Sequence, residues 1–101
     1  MARFLKAASC QDVPPGECRT VVVDNKAIAL CNVDGTFYAL DNACLHMNGP
    51  LGDGVLQGRI VTCPWHGWQF DVTTGRTTME PKLTVSRFEV RVEGDDVLIE
   101  V

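Results

Sequence analysis

The chain is short of histidine, of positive charge and of long apolar runs, and each shortage excludes something. None of its 101 residues fall in a stretch of roughly 18 consecutive apolar positions, the length a membrane-spanning helix needs. The N-terminus, Met1 to Cys10, carries an apolar stretch too brief and too interrupted by Arg3 and Lys6 for the core of a signal peptide. A soluble, cytoplasmic protein with no membrane partner is expected. Nine Lys and Arg stand against thirteen Asp and Glu, for a formal net charge of −4, and the few cations are scattered. A phosphate backbone attracts clustered cations, so no nucleic acid is expected either, and a basic surface on a protein fits better. Repeats and low-complexity tracts are absent, and no segment has the period of a helix of ordinary length, although a helical turn over residues 41–44 is compatible with the sequence. The length suits one hydrophobic core, hence one domain over residues 1–101 with no room for a second.

What the chain does have is short β-type runs divided by turn residues. Thr20 to Asp24, Lys26 to Cys31 and Thr36 to Leu40 read as strands, with Asp34-Gly35 as a two-residue hairpin turn. Near the other end, Val85 to Val92 alternates strictly, Glu93 to Asp96 turns, and Val97 to Val101 completes a second hairpin. Arg59 to Thr62 reads as one more strand. Residues 42–58, rich in Gly and with Pro50, have no period and read as loop; a second punctuated stretch follows from Cys63 to Gly75. The predicted fold class is all-β: a small antiparallel sandwich or partly open barrel with a loop-rich insertion over about residues 42–75.

The two histidines and two of the five cysteines fall inside that insertion, as Cys44-x-His46 and Cys63-x-x-His66, with sixteen residues between the pairs. An isolated Cys-x-His reads as a packing thiol beside an ordinary histidine. Two such pairs, each in a Gly/Pro-punctuated loop and together using every His, point instead to a metal centre clamped from two sides. The remaining cysteines, Cys10, Cys18 and Cys31, are expected to be thiols that bind no metal. A reducing cytosol and an odd cysteine count argue against a disulfide framework, and Cys31 should be buried. The same Cys2His2 set allows a structural zinc domain, although common zinc fingers place paired Cys before paired His.

Cys44-Leu-His46-Met-Asn-Gly-Pro50 and Cys63-Pro-Trp-His-Gly-Trp-Gln-Phe-Asp71 resemble the two ligand boxes of Rieske [2Fe–2S] proteins. The resemblance extends through Asp12-Val-Pro-Pro-Gly-Glu17, the Asp34-Gly35 turn and the C-terminal hairpin, so it covers nearly the whole chain. It implies one [2Fe–2S] cluster, with Cys44 and Cys63 on one iron and His46 and His66 on the other. Two ferric ions, two sulfides and two thiolates sum to zero, whereas four thiolates would give −2, so the imidazoles make reduction easier.

High-potential members of that family carry an extra disulfide-bonded Cys in each box; here those positions hold Gly49 and Trp65. Trp68 and Phe70 stand where that branch has a Ser and a Tyr that donate hydroxyl hydrogen bonds to the cluster. With fewer donors the reduced state is less stabilised, and the expected midpoint lies at the low end of the Rieske range, roughly −150 mV. The resemblance is therefore to soluble Rieske ferredoxins that carry electrons from a flavoprotein reductase to a terminal oxygenase. It holds also for the small Rieske subunit of assimilatory nitrite reductase, whose partner would be the large subunit. In either case the chain is an electron carrier without a catalytic site of its own, a monomer with transient partners. Leu45, Met47, Pro64, Trp65 and Trp68 would shield the cluster from water, with Trp65 in the docking surface. Little charge lies near the boxes, while Glu93, Asp95 and Asp96 could steer a basic partner.

Overall fold

Apolar residues at consecutive positions of a strand can all be buried only if both faces of the sheet are covered, and Ile28-Ala-Leu-Cys31 is such a run. A computed structural model, which describes residues 3–42, 50–64, 67–77 and 84–100, shows what covers them. In chain order the strands are β1 (Phe4–Ser9), β2 (Cys18–Val23), β3 (Lys26–Val33), β4 (Thr36–Asp41), β5 (Val55–Gln57), β6 (Ile60–Thr62), β7 (Gln69–Asp71), β8 (Arg87–Phe88), β9 (Val90–Glu93) and β10 (Asp96–Glu100). They form three open antiparallel sheets in the orders β1-β10-β9, β2-β3-β4-β8 and β5-β6-β7.

The four-stranded sheet has a core on each face. Ile28 and Leu30 of β3 and Ala39 of β4 pack with Val13, Val23, Val97 and Ile99, on the side of the first sheet. Ala29 and Cys31 of β3 and Leu40 of β4 point the other way, into a core with Leu51, Leu56, Val61, Cys63, Phe70 and Val72. Successive side chains of a strand alternate between faces, so one strand supplies both cores. The all-β sandwich expectation holds, with the middle sheet buried on both sides. No described helix is long and apolar enough to cross a membrane.

Asp34-Gly35 joins β3 to β4 as expected, with φ of 53° and 96°. Asp24-Asn25 makes the same kind of turn between β2 and β3, with φ of 52° and 65°. Both have positive φ at the two central positions, the form that matches the twist of paired strands.

Four expectations are corrected. The strand read over residues 85–92 breaks at Glu89: β8 pairs with β4 and β9 with β10, so the segment passes from one sheet to another. An alternating pattern gives the strand but not the sheet it joins. The loop read over residues 42–58 contains a 3-10 turn, Leu51–Asp53, and β5, while the punctuated stretch after Cys63 contains β7. Three-residue strands are too short to show a period. Asp41 ends β4 and Asn42 is a bend, so no helical turn starts at Asp41; residues 43 and 44 lie outside the described residues.

The fourth correction concerns thiols. Cys18 and Cys31 are joined by a disulfide, with Cα atoms 4.0 Å apart. Register is the cause: counting outwards from Val23 and Lys26 at the turn places Cys18 directly opposite Cys31. Both are buried, as expected for Cys31, and Cys10 remains a partly exposed free thiol.

Candidate metal centre

Antiparallel pairing of β6 with β7 ends at Thr62 opposite Gln69, and the second Cys-His box occupies the loop between them. The Cys63 amide donates to the Trp68 carbonyl at 2.7 Å, closing the loop at its base. Cys63 is 1% exposed, is not in a disulfide, and belongs to the core with Val61, Phe70 and Val72. Beside it Trp68, half-buried, stacks on the fully buried Phe70 with ring centroids 6.5 Å apart. Pro64 is exposed.

The first box leaves the scaffold at Asn42 and returns at Pro50. Asn42 clasps the two legs: its backbone carbonyl accepts from the Leu51 amide at 2.9 Å, and its side-chain Oδ1 accepts from the Gly52 amide at 2.7 Å. The Asn42 amide in turn donates to Ala27 of β3 at 3.1 Å. The Thr20 hydroxyl of β2 lies 3.3 Å from Asn42 Oδ1 and 3.4 Å from Asp53 Oδ1, both acceptors. Buried polar atoms must find partners, and here the partners pin both ends of the box to the middle sheet.

Two glycines let the returning leg approach other backbones. A Cβ on Gly52 would lie 2.6 Å from the Thr20 nitrogen and 2.7 Å from its Cα. A Cβ on Gly54 would collide with the carbonyl oxygen of Thr62, the residue immediately before Cys63. Through Gly54 the leg that follows the first box therefore rests on the root of the second.

Of the four proposed ligands Cys63 is placed, whereas Cys44, His46 and His66 lie outside the described residues, as do Leu45, Met47 and Trp65. Sequence reasoning missed Asn42, Thr20 and the close-contact roles of Gly52 and Gly54. An Asn two residues before Cys44 was a weak signal; the glycine contacts left none beyond a generic loop composition.

Charge around the boxes is largely satisfied internally. Arg59 Nε pairs with Asp71 Oδ2 at 3.0 Å, and Asp71 Oδ1 accepts from both the amide and the hydroxyl of Thr73.

The chain matches the Rieske [2Fe-2S] domain family over residues 3–93. It belongs to that family. This Rieske chain is 36% identical over 100 residues to the ferredoxin component of the naphthalene 1,2-dioxygenase system of Pseudomonas aeruginosa, covering 98% of this chain and 96% of that protein. Among solved structures, the Sphingomonas yanoikuyae B1 ferredoxin superposes with a TM-score of 0.89 at 34% identity, covering 98% of this chain and 99% of the other. A chain in the complex of reduced oxygenase and oxidized ferredoxin of carbazole 1,9a-dioxygenase gives a TM-score of 0.85 at 33% identity, covering 95% and 91%. A putative nitrite reductase small subunit shares the fold, with a TM-score of 0.82 at 18% identity over 96% of this chain and 97% of the other.

Membership in the Rieske family implies an iron–sulfur cluster, and the described part of the site fits one. A soft thiol sits out of water at the root of a closed loop, unbonded to any other sulfur. The packing at Gly54 makes a further expectation. Gly54→Ala should destabilise the protein by about 1–3 kcal/mol, the usual cost of forcing an atom into a filled site, and should speed loss of the visible absorbance. A melt and a bleaching time course check this, and wild-type values in both would contradict the contact.

Proposed function

We propose that the chain is a one-electron carrier in which Cys44 and Cys63 hold one iron of a [2Fe–2S] cluster and His46 and His66 hold the other. The cluster supplies reversible one-electron chemistry, at a potential set by ligand charge and surroundings. Residues 42–75 act as the cluster-binding insertion of a single domain over residues 1–101. Within it, Asn42 and Gly52 fix the first box, the β6–β7 hairpin presents the second, and Gly54 on Thr62 holds the two in a constant relation. Constant geometry suits electron transfer, because a rigid site needs little rearrangement when its charge changes.

The observation that carries this reading is the buried, unbridged Cys63 in a loop whose root is packed against Gly54, on the leg that follows the other box. The partners in this reading are a flavoprotein reductase that supplies electrons and a terminal oxygenase that receives them, the latter supported by the complex of oxygenase and ferredoxin in carbazole 1,9a-dioxygenase. Docking is brief and only weakly charged, since Arg59 and Asp71 satisfy each other and Val55 of β5 stands exposed nearby. The protein works as a monomer in the cytoplasm. An alternative placement as a nitrite reductase small subunit rests on likeness of fold, and the match to the Rieske family sets aside a structural zinc domain.

The experiment is a reconstituted chain of components. The purified protein, a flavoprotein reductase with a reduced nicotinamide, and a ring-hydroxylating oxygenase should together turn over, and leaving out this protein should stop product formation. Unchanged turnover without it would contradict the carrier role. A redox titration should give a midpoint of roughly −150 mV, at the low end of the Rieske range. Neither Phe70, which has no hydroxyl, nor Trp68 replaces the missing hydroxyl donors. A midpoint above about +100 mV would overturn this account of the surroundings.

A further inference from the structure

We propose that Cys18 and Cys31 form a reversible thiol–disulfide site, opened and closed by a low-molecular-weight thiol of the glutathione class. Its physiological meaning rests on the cytoplasmic carrier role above; the chemistry does not. Two observations and one consequence of the proposed compartment carry it. The two cysteines are register partners on neighbouring strands, so a bond between them requires no change of fold. Both are buried, but Cys18 lies on the outer strand and is one of the residues lining an open cavity of about 190 Å³, with Gly16, Arg19, Gly54, Val55 and Leu56, whereas Cys31 is not. Finally, a cytoplasmic protein meets reduced thiols continually, and a bridge that can be reached by them is set by the redox poise of its surroundings.

The cavity is large enough for the end of a small thiol, and its mouth selects little by charge, because Arg19 and Glu17 pair at 2.6 Å. The exchange has two steps. A thiolate attacks Cys18 Sγ, the S–S bond breaks, and its electron pair goes to Cys31 Sγ, which takes up a proton. A second thiolate attacks the incoming sulfur of the mixed disulfide, releasing the small-molecule disulfide and leaving Cys18 to take up the second proton. Two small thiols are oxidised to one disulfide and lose two protons, while the protein disulfide is reduced and gains them. An oxidised small thiol drives the reverse.

The site is placed to act on the cluster's seat. β2 is the outer strand of its sheet, and the bridge fastens it to β3. The leg that follows the first box packs on the same strand, Gly52 against Thr20, and both cysteines share a core with Leu51, Leu56 and Cys63. Opening the bridge loosens the surface on which the first box rests, so the thiol form should surrender iron severalfold faster to a chelator.

The test uses the holoprotein equilibrated in glutathione buffers from fully reduced to fully oxidised, quenched in acid, alkylated and mapped by peptide mass. Cys18 and Cys31 should become alkylated together towards the reduced end and protected together towards the oxidised end, while the protein stays folded by circular dichroism. Alkylation in every buffer would overturn the proposal, as would protection throughout an excess of reduced glutathione. Exchange with no change in iron release would overturn the link to the cluster while leaving the thiol site standing. Cysteine mapping does not depend on iron content, so a failure of the carrier reading and a failure here are separate results.

Discussion

Cys63→Ser should yield a folded protein that retains neither iron nor acid-labile sulfide beyond traces. Cys63 is almost wholly buried, free of any disulfide, and held at the root of a hairpin loop by the hydrogen bond its amide donates to the Trp68 carbonyl. A cysteine sulfur binds iron strongly because it is soft and gives up its proton on coordination; the serine hydroxyl is hard and far harder to deprotonate. The change also leaves a hydroxyl in an apolar core, costing about 1–3 kcal/mol if it finds no partner. That cost falls on the side of the middle sheet packed with β5, β6 and β7. The other core, built from Val13, Val23, Ile28, Leu30, Ala39, Val97 and Ile99, is untouched, so the β scaffold should survive in circular dichroism. Cys10→Ser is the control, because Cys10 lies in the 3-10 turn after β1, outside both boxes, and should keep the full iron complement. A Cys63→Ser protein with a normal content of iron and sulfide would refute the assignment of that residue.

The second large effect is on stability. The disulfide joins residues 13 apart in sequence, and closing a loop of about 15 residues in the unfolded chain is worth about 3 kcal/mol on the chain-entropy account. Native domains hold only about 5–15 kcal/mol in all, so this is a large share. For about 100 residues each kcal/mol moves the thermal midpoint by about 4–8 °C, so loss of the bridge should lower the midpoint by more than about 10 °C. Two routes measure it: melting the apoprotein before and after reduction, and melting the Cys18→Ala/Cys31→Ala variant. Reduced wild type isolates the bond, since it leaves both side chains in place. The alanine pair adds small cavities and should melt lower still. Coincident melts for the oxidised and reduced wild type would show that the bridge contributes nothing.

Much of this architecture was legible from residues alone, and the exceptions have physical causes. Asp34-Gly35 and Glu93 to Asp96 announced two hairpins because tight turns admit few residue types. The pairing of Cys18 with Cys31 was also within reach. Reading Asp24-Asn25 as a two-residue turn fixes the register outwards to those cysteines, but the odd count and the assumed compartment argued for thiols. Strand β1 was overlooked in a segment weighed only as a possible signal peptide, and its partner is β10 at the far end of the chain. No local pattern encodes such a pairing. Likewise the break at Glu89 depends on which sheet lies near, a tertiary fact.

The site divides the same way. Ligand types and spacing are local, and they led to the Rieske family that the whole-chain comparison bears out. What keeps the two boxes in register is not local: Asn42 meets Leu51 and Gly52, Gly52 meets Thr20, and Gly54 meets Thr62. Each contact joins segments whose proximity only the folded chain creates. They tie the described ends of the insertion to two different sheets, the arrangement on which the proposed redox site relies.

The central claim is the division of ligands, two thiolates on one iron and two imidazoles on the other. Its most direct test is pulsed electron paramagnetic resonance of the dithionite-reduced holoprotein, prepared with ordinary nitrogen and again with nitrogen-15 in histidine alone. The chain has only His46 and His66, so the account predicts strong hyperfine coupling to two nitrogens, both changing with the label. A reduced protein with no signal, or a signal without strongly coupled histidine nitrogen, would contradict it.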